Sequence, residues 1–223
     1  MDKFIWPEPQ IQSAFSIATA GYPFIIATAF TTLIFALLGI KSLAIFGLLL
    51  TFFVCFFFRD PDRLIPKDEH VIVSPADGRI LCANIEEKNP YIEGSCYKIS
   101  IFMSVFNVHV NRIPYSGTVT SIHYFPGKFF NASFDKASID NEKNAIIIET
   151  SDGKKMAVVQ IAGLIARRIL CKLQQSDSVI RGQRFGMICF GSRLDVYLPL
   201  FTKIHVSPGD KVNAGTSILG YYK

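Results

Sequence analysis

With 223 residues, half of them hydrophobic, and a formal charge of +5, the chain has room for one modest domain and an appendage. Its basic residues show neither an aromatic-interleaved stripe nor zinc-finger spacing, which excludes nucleic acid; an anionic membrane surface or an ordinary solvated face suits the charge better. The cysteines at 55, 82, 96, 171 and 189 have no paired spacing and read as reduced small hydrophobes, and the histidines at 70, 109, 123 and 205 lack metal-ligand spacing, so no metal is expected.

Residues 1–22 are mixed, with Trp6 and Tyr22 placed to act as interfacial anchors, and they lack the pattern of a secretory signal. From Gly21 to Phe58 the only charged residue is Lys41. This apolar block divides at Gly39-Ile40-Lys41-Ser42, and each half, 23–40 and 42–58, just suffices to cross a hydrocarbon core of about 30 Å as a helix. The block therefore reads as a membrane anchor over residues 1–58, either a helical hairpin with both ends on one side or a single tilted or monotopic insertion. Arg59, Arg63 and Lys67 follow it at once, so the positive-inside bias puts the next domain on the cytoplasmic face of the cell membrane.

From residue 59 to 223 the pattern changes to short apolar runs punctuated by Gly, Pro, Asn and Asp. The runs 71–74, 78–83, 97–110, 117–124, 145–150 and 155–161 read as strands. Only 163–172 has a helical look. The expected fold class is a mainly β domain, barrel- or sandwich-like with a few short helices, behind an N-terminal hydrophobic helical anchor.

The C-terminal stretch 204–220 holds a Pro-Gly-Asp turn, a short strand, a Gly turn and another strand, an order similar to the hairpins of biotinyl and lipoyl carrier domains. Asp135-Lys136-Ala137 resembles the lipoyl-lysine tripeptide. It lies far upstream of the hairpin, so the order does not fit a carrier module.

Phe190-Gly191-Ser192-Arg193 sits between the last two long apolar runs. A serine hydroxyl can attack the carbonyl just before it if the peptide is held for that attack, and Gly191 gives the backbone the freedom to be so held. Gly-Ser alone is a common turn pair. It gains meaning from Ser74-Pro75-Ala76-Asp77-Gly78 and Asn107-Val108-His109-Val110-Asn111 upstream.

Together with Phe57-Phe58-Arg59-Asp60-Pro61, Asn131-Ala132-Ser133, Asp135-Lys136-Ala137-Ser138 and Asn141-Glu142, these stretches make the chain similar to the short, archaeal-type phosphatidylserine decarboxylases, in order from about 57 to 198. The resemblance implies a proenzyme that cuts itself between Gly191 and Ser192. It implies a β chain ending at Gly191, an α chain of residues 192–223, and a pyruvoyl cofactor made from Ser192. That ketone would form a Schiff base with the amine of phosphatidylserine, act as an electron sink in place of pyridoxal phosphate, and release carbon dioxide and phosphatidylethanolamine. The implied partners are phosphatidylserine in the membrane and the two chains of one proenzyme, with a homodimer left open.

His109 is the candidate for proton transfer, read as lying on one strand face with Asn107, and Asp77 the candidate to orient that imidazole or assist the serine. One position departs from the longer bacterial members, which carry a second His where this chain has Arg112. Either His109 serves both self-cleavage and decarboxylation, or Arg112 and backbone strain replace part of the relay.

Overall fold

The computed structural model describes residues 16–134, 140–164, 168–189 and 191–222. Trp6, Asp135 to Ser138 and Phe190 lie outside these residues. Two compact units divide the chain, one within residues 9–62 and one comprising chiefly residues 63–223.

The first unit is a helical hairpin. A 3-10 turn at Thr19–Gly21 leads into α1 (Tyr22–Leu37), with Pro23 in its first turn, and α2 (Lys41–Phe57) returns after a tight turn. The Thr32 and Thr51 hydroxyls lie 3.4 Å apart across the hairpin. Its base is closed by the Ala18 amide on the Phe58 carbonyl at 2.8 Å and the Asp60 amide on the Ser16 carbonyl at 2.7 Å. That pairing is why residues 59–62, expected in the β domain, belong to the helical unit. Thr19–Leu37 is long and apolar enough, by length and composition, to cross a membrane, while α2 has 17 residues. Leu37, Ile26, Phe46 and Phe52 are 64–78% exposed, so apolar side chains face outward as well as inward.

Among the described residues the second unit has fourteen strands. β1 (Val71–Val73), β12 (Lys203–Ile204) and β14 (Ile218–Tyr221) form one small sheet in the order β1-β14-β12. β4 (Val110–Arg112), β8 (Ile169–Cys171) and β10 (Arg184–Ile188) form another, with β10 in the middle. The main sheet joins β2 (Gly78–Glu86), β3 (Cys96–Met103), β5 (Gly117–Phe125), β6 (Lys143–Glu149), β7 (Lys155–Ala162), β9 (Ser178–Val179), β11 (Ser192–Pro199) and β13 (Lys211–Val212). Its order is β13-β2-β3-β11-β7-β6-β5-β9, antiparallel throughout.

Both faces of this sheet are buried at its centre. Ile146, Ile148, Val158, Leu194 and Val196 belong to the larger core on one side. Ala145, Ile147, Ala157, Val159 and Tyr197 pack on the other, under Tyr91 and Ile92. A strand buried on both faces reads as a continuous apolar run rather than an alternating one, which is how β6 and β7 look in the sequence.

Two expectations are corrected. The run 97–110 is not one strand: β3 ends at Met103, and a turn at Ser104–Asn107 redirects the chain into β4 in a different sheet. The helical look of 163–172 gives way, in its described part, to β8, because Ile169, Leu170 and Cys171 pair with Ile188, Met187 and Gly186 of β10. The C-terminal strands divide between two sheets. β13 pairs with β2 at the edge of the main sheet, whereas β14 pairs with β1 and β12.

Candidate active site

Ser192 opens β11, between Met103 of β3 and Ala162 of β7 in register. Strand periodicity puts its side chain on the same face as Leu194, toward the larger core. Its hydroxyl is fully buried and has no hydrogen-bond partner among the described residues. A buried hydroxyl without a partner costs roughly 1–3 kcal/mol, so it is a feature that stability alone does not favour.

Gly191, just before it, has φ +53°, in the left-handed region where any other residue would be strained. Its carbonyl lies directly against Gly163, at the end of β7. A cavity of about 230 Å³ ends on Gly191, with apolar walls from Phe102, Val105, Ala132 and Leu164. Ser104 and Asn131 complete its lining, and Leu164 is 64% exposed.

The wall carrying Ala132 is held by Asn141. Its side-chain nitrogen donates to the Phe130 carbonyl at 2.8 Å and to the Ala162 carbonyl at 2.7 Å, and its oxygen accepts from the Phe130 amide at 2.9 Å. One buried amide thus joins the loop before Ala132 to the strand beside Ser192.

Immediately downstream, β11 is fixed from its other face. The Arg193 guanidinium donates to Asp195 Oδ1 at 2.6 Å and to Ser100 Oγ at 2.7 Å, with all three side chains buried. Burial pushes the nearby Tyr91 hydroxyl up to about 12, with the Asp195 and Glu86 charges adding to the effect.

His109 is completely buried and stands in the loop just ahead of β4, not on a strand with Asn107. Asn107 instead caps the turn: its side-chain oxygen accepts from the Ser104 amide at 2.9 Å and the Ser104 hydroxyl at 2.8 Å. The Asn107 carbonyl lies 3.0 Å from His109 Nδ1. A carbonyl only accepts, so this contact puts the proton on Nδ1 and leaves Nε2 as the basic nitrogen of the neutral ring.

Two residues on, Asn111 links this loop to the strands flanking Ser192. Gln160 of β7 donates to Asn111 Oδ1 at 2.9 Å, Asn144 donates to Gln160 Oε1 at 3.1 Å, and the Asn111 amide meets Met103 Sδ at 3.7 Å. β4 also pairs with β10, the strand that runs into Gly191, with Val110 opposite Met187. His109 and Ser192 are therefore positioned by shared neighbours.

Asp77 is placed elsewhere. Its two oxygens accept from Arg63 at 2.9 Å and from the Ala214 amide at 2.7 Å, and it makes no hydrogen bond to His109 or Ser192. Arg112 donates from its side chain to the Gly182 carbonyl at 3.0 Å and from its backbone to the Pro75 carbonyl at 2.9 Å. Among the described residues no group of three or more His, Cys, Asp or Glu side chains is placed to hold a metal ion.

Sequence reasoning missed Gly163, Gln160 and the Arg193–Asp195 pair. Gln160 had a legible signal, a polar residue inside the apolar run 157–162.

The family profile described as Phosphatidylserine decarboxylase matches residues 50–220. The chain is 53% identical over 207 residues to a protein of Syntrophus aciditrophicus named phosphatidylserine decarboxylase proenzyme, covering 92% of this chain and 97% of that one. Proteins of the same name from Geotalea uraniireducens and Burkholderia ambifaria are 52% and 51% identical, covering 92% and 91% of this chain and 95% and 94% of theirs. On a match of this length and identity, the chain belongs to the phosphatidylserine decarboxylase family and is an enzyme of that class, a carboxy-lyase.

Proposed function

We propose that the chain is a proenzyme that cuts itself between Gly191 and Ser192, and that Ser192 becomes the pyruvoyl group used to decarboxylate phosphatidylserine to phosphatidylethanolamine. The observation that carries this reading is the Ser192 hydroxyl, buried and without a hydrogen-bond partner among the described residues, one residue after a glycine that lines a cavity. The relatives' name, proenzyme, points the same way.

In the cleavage, Ser192 Oγ adds to the Gly191 carbonyl carbon and the peptide C–N bond breaks, leaving an ester and a free amine. Loss of the Ser192 Cα proton with breakage of the ester C–O bond releases the Gly191 carboxylate and leaves dehydroalanine. Tautomerisation and addition of water then expel ammonia and leave the ketone at the new chain end. The site fits the group: residue 192 is held between β3 and β7, and the apolar walls of the cavity limit the access of water. The pyruvoyl group supplies an electrophilic carbonyl for the substrate amine and a sink for the electron pair left by carbon dioxide.

His109 Nε2 takes the proton of the Ser192 hydroxyl during cleavage and delivers a proton to the substrate carbon during turnover, its ring held by Asn107. Asp77 acts as a positioning residue, tying Arg63 to the turn at Ala214. The helical hairpin, with apolar side chains facing outward, inserts in the bilayer and keeps the β unit at the cytoplasmic face beside its lipid substrate.

The test is release of labelled carbon dioxide from vesicles containing carboxyl-labelled phosphatidylserine. One phosphatidylethanolamine should form per carbon dioxide with the parent and none with Ser192→Ala. Parental turnover by Ser192→Ala would overturn the reading.

A further inference from the structure

A second cavity, about 490 Å³, adjoins the one that ends on Gly191 and shares Phe102 and Ser104 with it. Where the first is apolar, this one is lined by Arg79, Lys211, Ser104, Asn107 and Asn213. Arg79 of β2 and Lys211 of β13 are direct cross-strand partners. Like charges facing each other across an antiparallel pair destabilise it unless something neutralises them. Nothing among the described residues does: neither side chain forms an ion pair or hydrogen bond. The carboxylates next to them in sequence are engaged elsewhere, Asp77 by Arg63 and the Ala214 amide, and Asp210 by the Ser207 amide at 2.8 Å.

Two exposed cations held side by side on a sheet, with hydroxyl and amide groups around them, form a receptor for a phosphate oxyanion. We infer that Arg79 and Lys211 bind the phosphodiester of the phospholipid substrate, so that its serine amine crosses Phe102 and Ser104 toward residue 192. The inference rests on the proposed decarboxylase reading and extends it by naming what distinguishes a phospholipid from free serine. Asn107 then has two duties. Its side chain shapes the turn on the wall of this cavity, and its carbonyl fixes His109, so headgroup site and proton carrier share one turn.

The experiment uses the full chain in detergent, carrying Ser192→Ala so that no pyruvoyl forms and only binding is read. Glycerophosphoserine, inorganic phosphate and L-serine are titrated separately by calorimetry. Glycerophosphoserine should bind, and adding Arg79→Gln or Lys211→Gln should weaken it about tenfold each, as expected for losing one charge-assisted hydrogen bond. Arg79→Lys should recover part of the loss, and L-serine should not compete. In the self-cleaving chain the same Gln substitutions should raise KM for phosphatidylserine about tenfold with kcat within twofold.

Equal glycerophosphoserine affinity with and without the two cations would overturn the inference. Inorganic phosphate binding as tightly as glycerophosphoserine would also overturn it, by assigning the site to free phosphate. A parent chain that neither cleaves nor releases carbon dioxide counts against the decarboxylase reading. A parent that does both, with KM unmoved by Arg79→Gln and Lys211→Gln, sinks the phosphate site alone.

Discussion

Gly163 lies so close to Gly191 that a Cβ at position 163 would overlap the Gly191 carbonyl oxygen and stand 3.0 Å from its carbonyl carbon. The carbonyl that Ser192 attacks in the proposed cleavage is thus seated on a residue with no side chain. In Gly163→Ala either this carbonyl or the end of β7 must move. A displacement of about 1 Å costs roughly a hundredfold in a reaction that depends on alignment. Self-cleavage followed by gel should slow by about that factor while the chain still folds. Cleavage at the parental rate would show that the close approach has no part in it.

Asn141 makes three hydrogen bonds from a buried side chain. Asn141→Ala removes three buried hydrogen bonds, at a cost of about 2–4 kcal/mol. For a chain of this size that is a drop of roughly 4–16 °C in Tm. Self-cleavage should slow as well, because the wall at Ala132 loses its tether to β7. Thermal unfolding and a cleavage time course measure the two effects separately.

Among the described residues His109 is the one imidazole placed near residue 192, and the Arg112 side chain donates to the Gly182 carbonyl. If one imidazole serves both reactions, His109→Gln should lower cleavage and turnover together, each by about 10²–10⁴-fold. Loss of turnover in a chain that still cleaves at the parental rate would assign His109 to decarboxylation alone.

Tyr91 gives a pH dependence whose sign follows from its environment. Burial, then the Asp195 and Glu86 charges, raise its pKa from 10.0 to about 12. The folded chain therefore retains a proton that the unfolded chain has lost between those values. Its contribution to stability is intact below pH 10 and declines as pH rises toward 12. The denaturant midpoint of the parent should fall from pH 9 to pH 11, and Tyr91→Phe should reduce that fall. An equal fall in both chains would contradict the assignment.

The parts legible in the sequence are those where local chemistry and tertiary structure agree. The helical hairpin follows from the long uncharged block and its break at Gly39, and β1, β2, β5, β6 and β7 follow from apolar runs between turn residues. The turn at Ser104–Asn107 was hidden because it lacks both Gly and Pro and is made by a hydrogen-bonded Ser and Asn. β8 was hidden because its three residues have no period of their own and owe their form to pairing with β10.

Ser192, Gly191 and His109 were singled out in the sequence by the resemblance to the family, and their roles are those proposed above. Asp77 shows the limit of that reading, since a carboxylate in a turn motif carries no sign of which partner will claim it, and Arg63 and Ala214 do. Gly163 had no signal, because its role exists only when β7 and residue 191 are brought together.

The central claim is tested most directly by the intact mass of the purified chain beside Ser192→Ala and Ser192→Cys. The parent should give two fragments, the smaller being residues 192–223 with a pyruvoyl terminus, and Ser192→Ala a single uncut chain. Ser192→Cys, whose thiol can make the same attack, should be cut, more slowly. A parent that stays whole under native conditions, or a Ser192→Ala chain cut at residue 191, would contradict it.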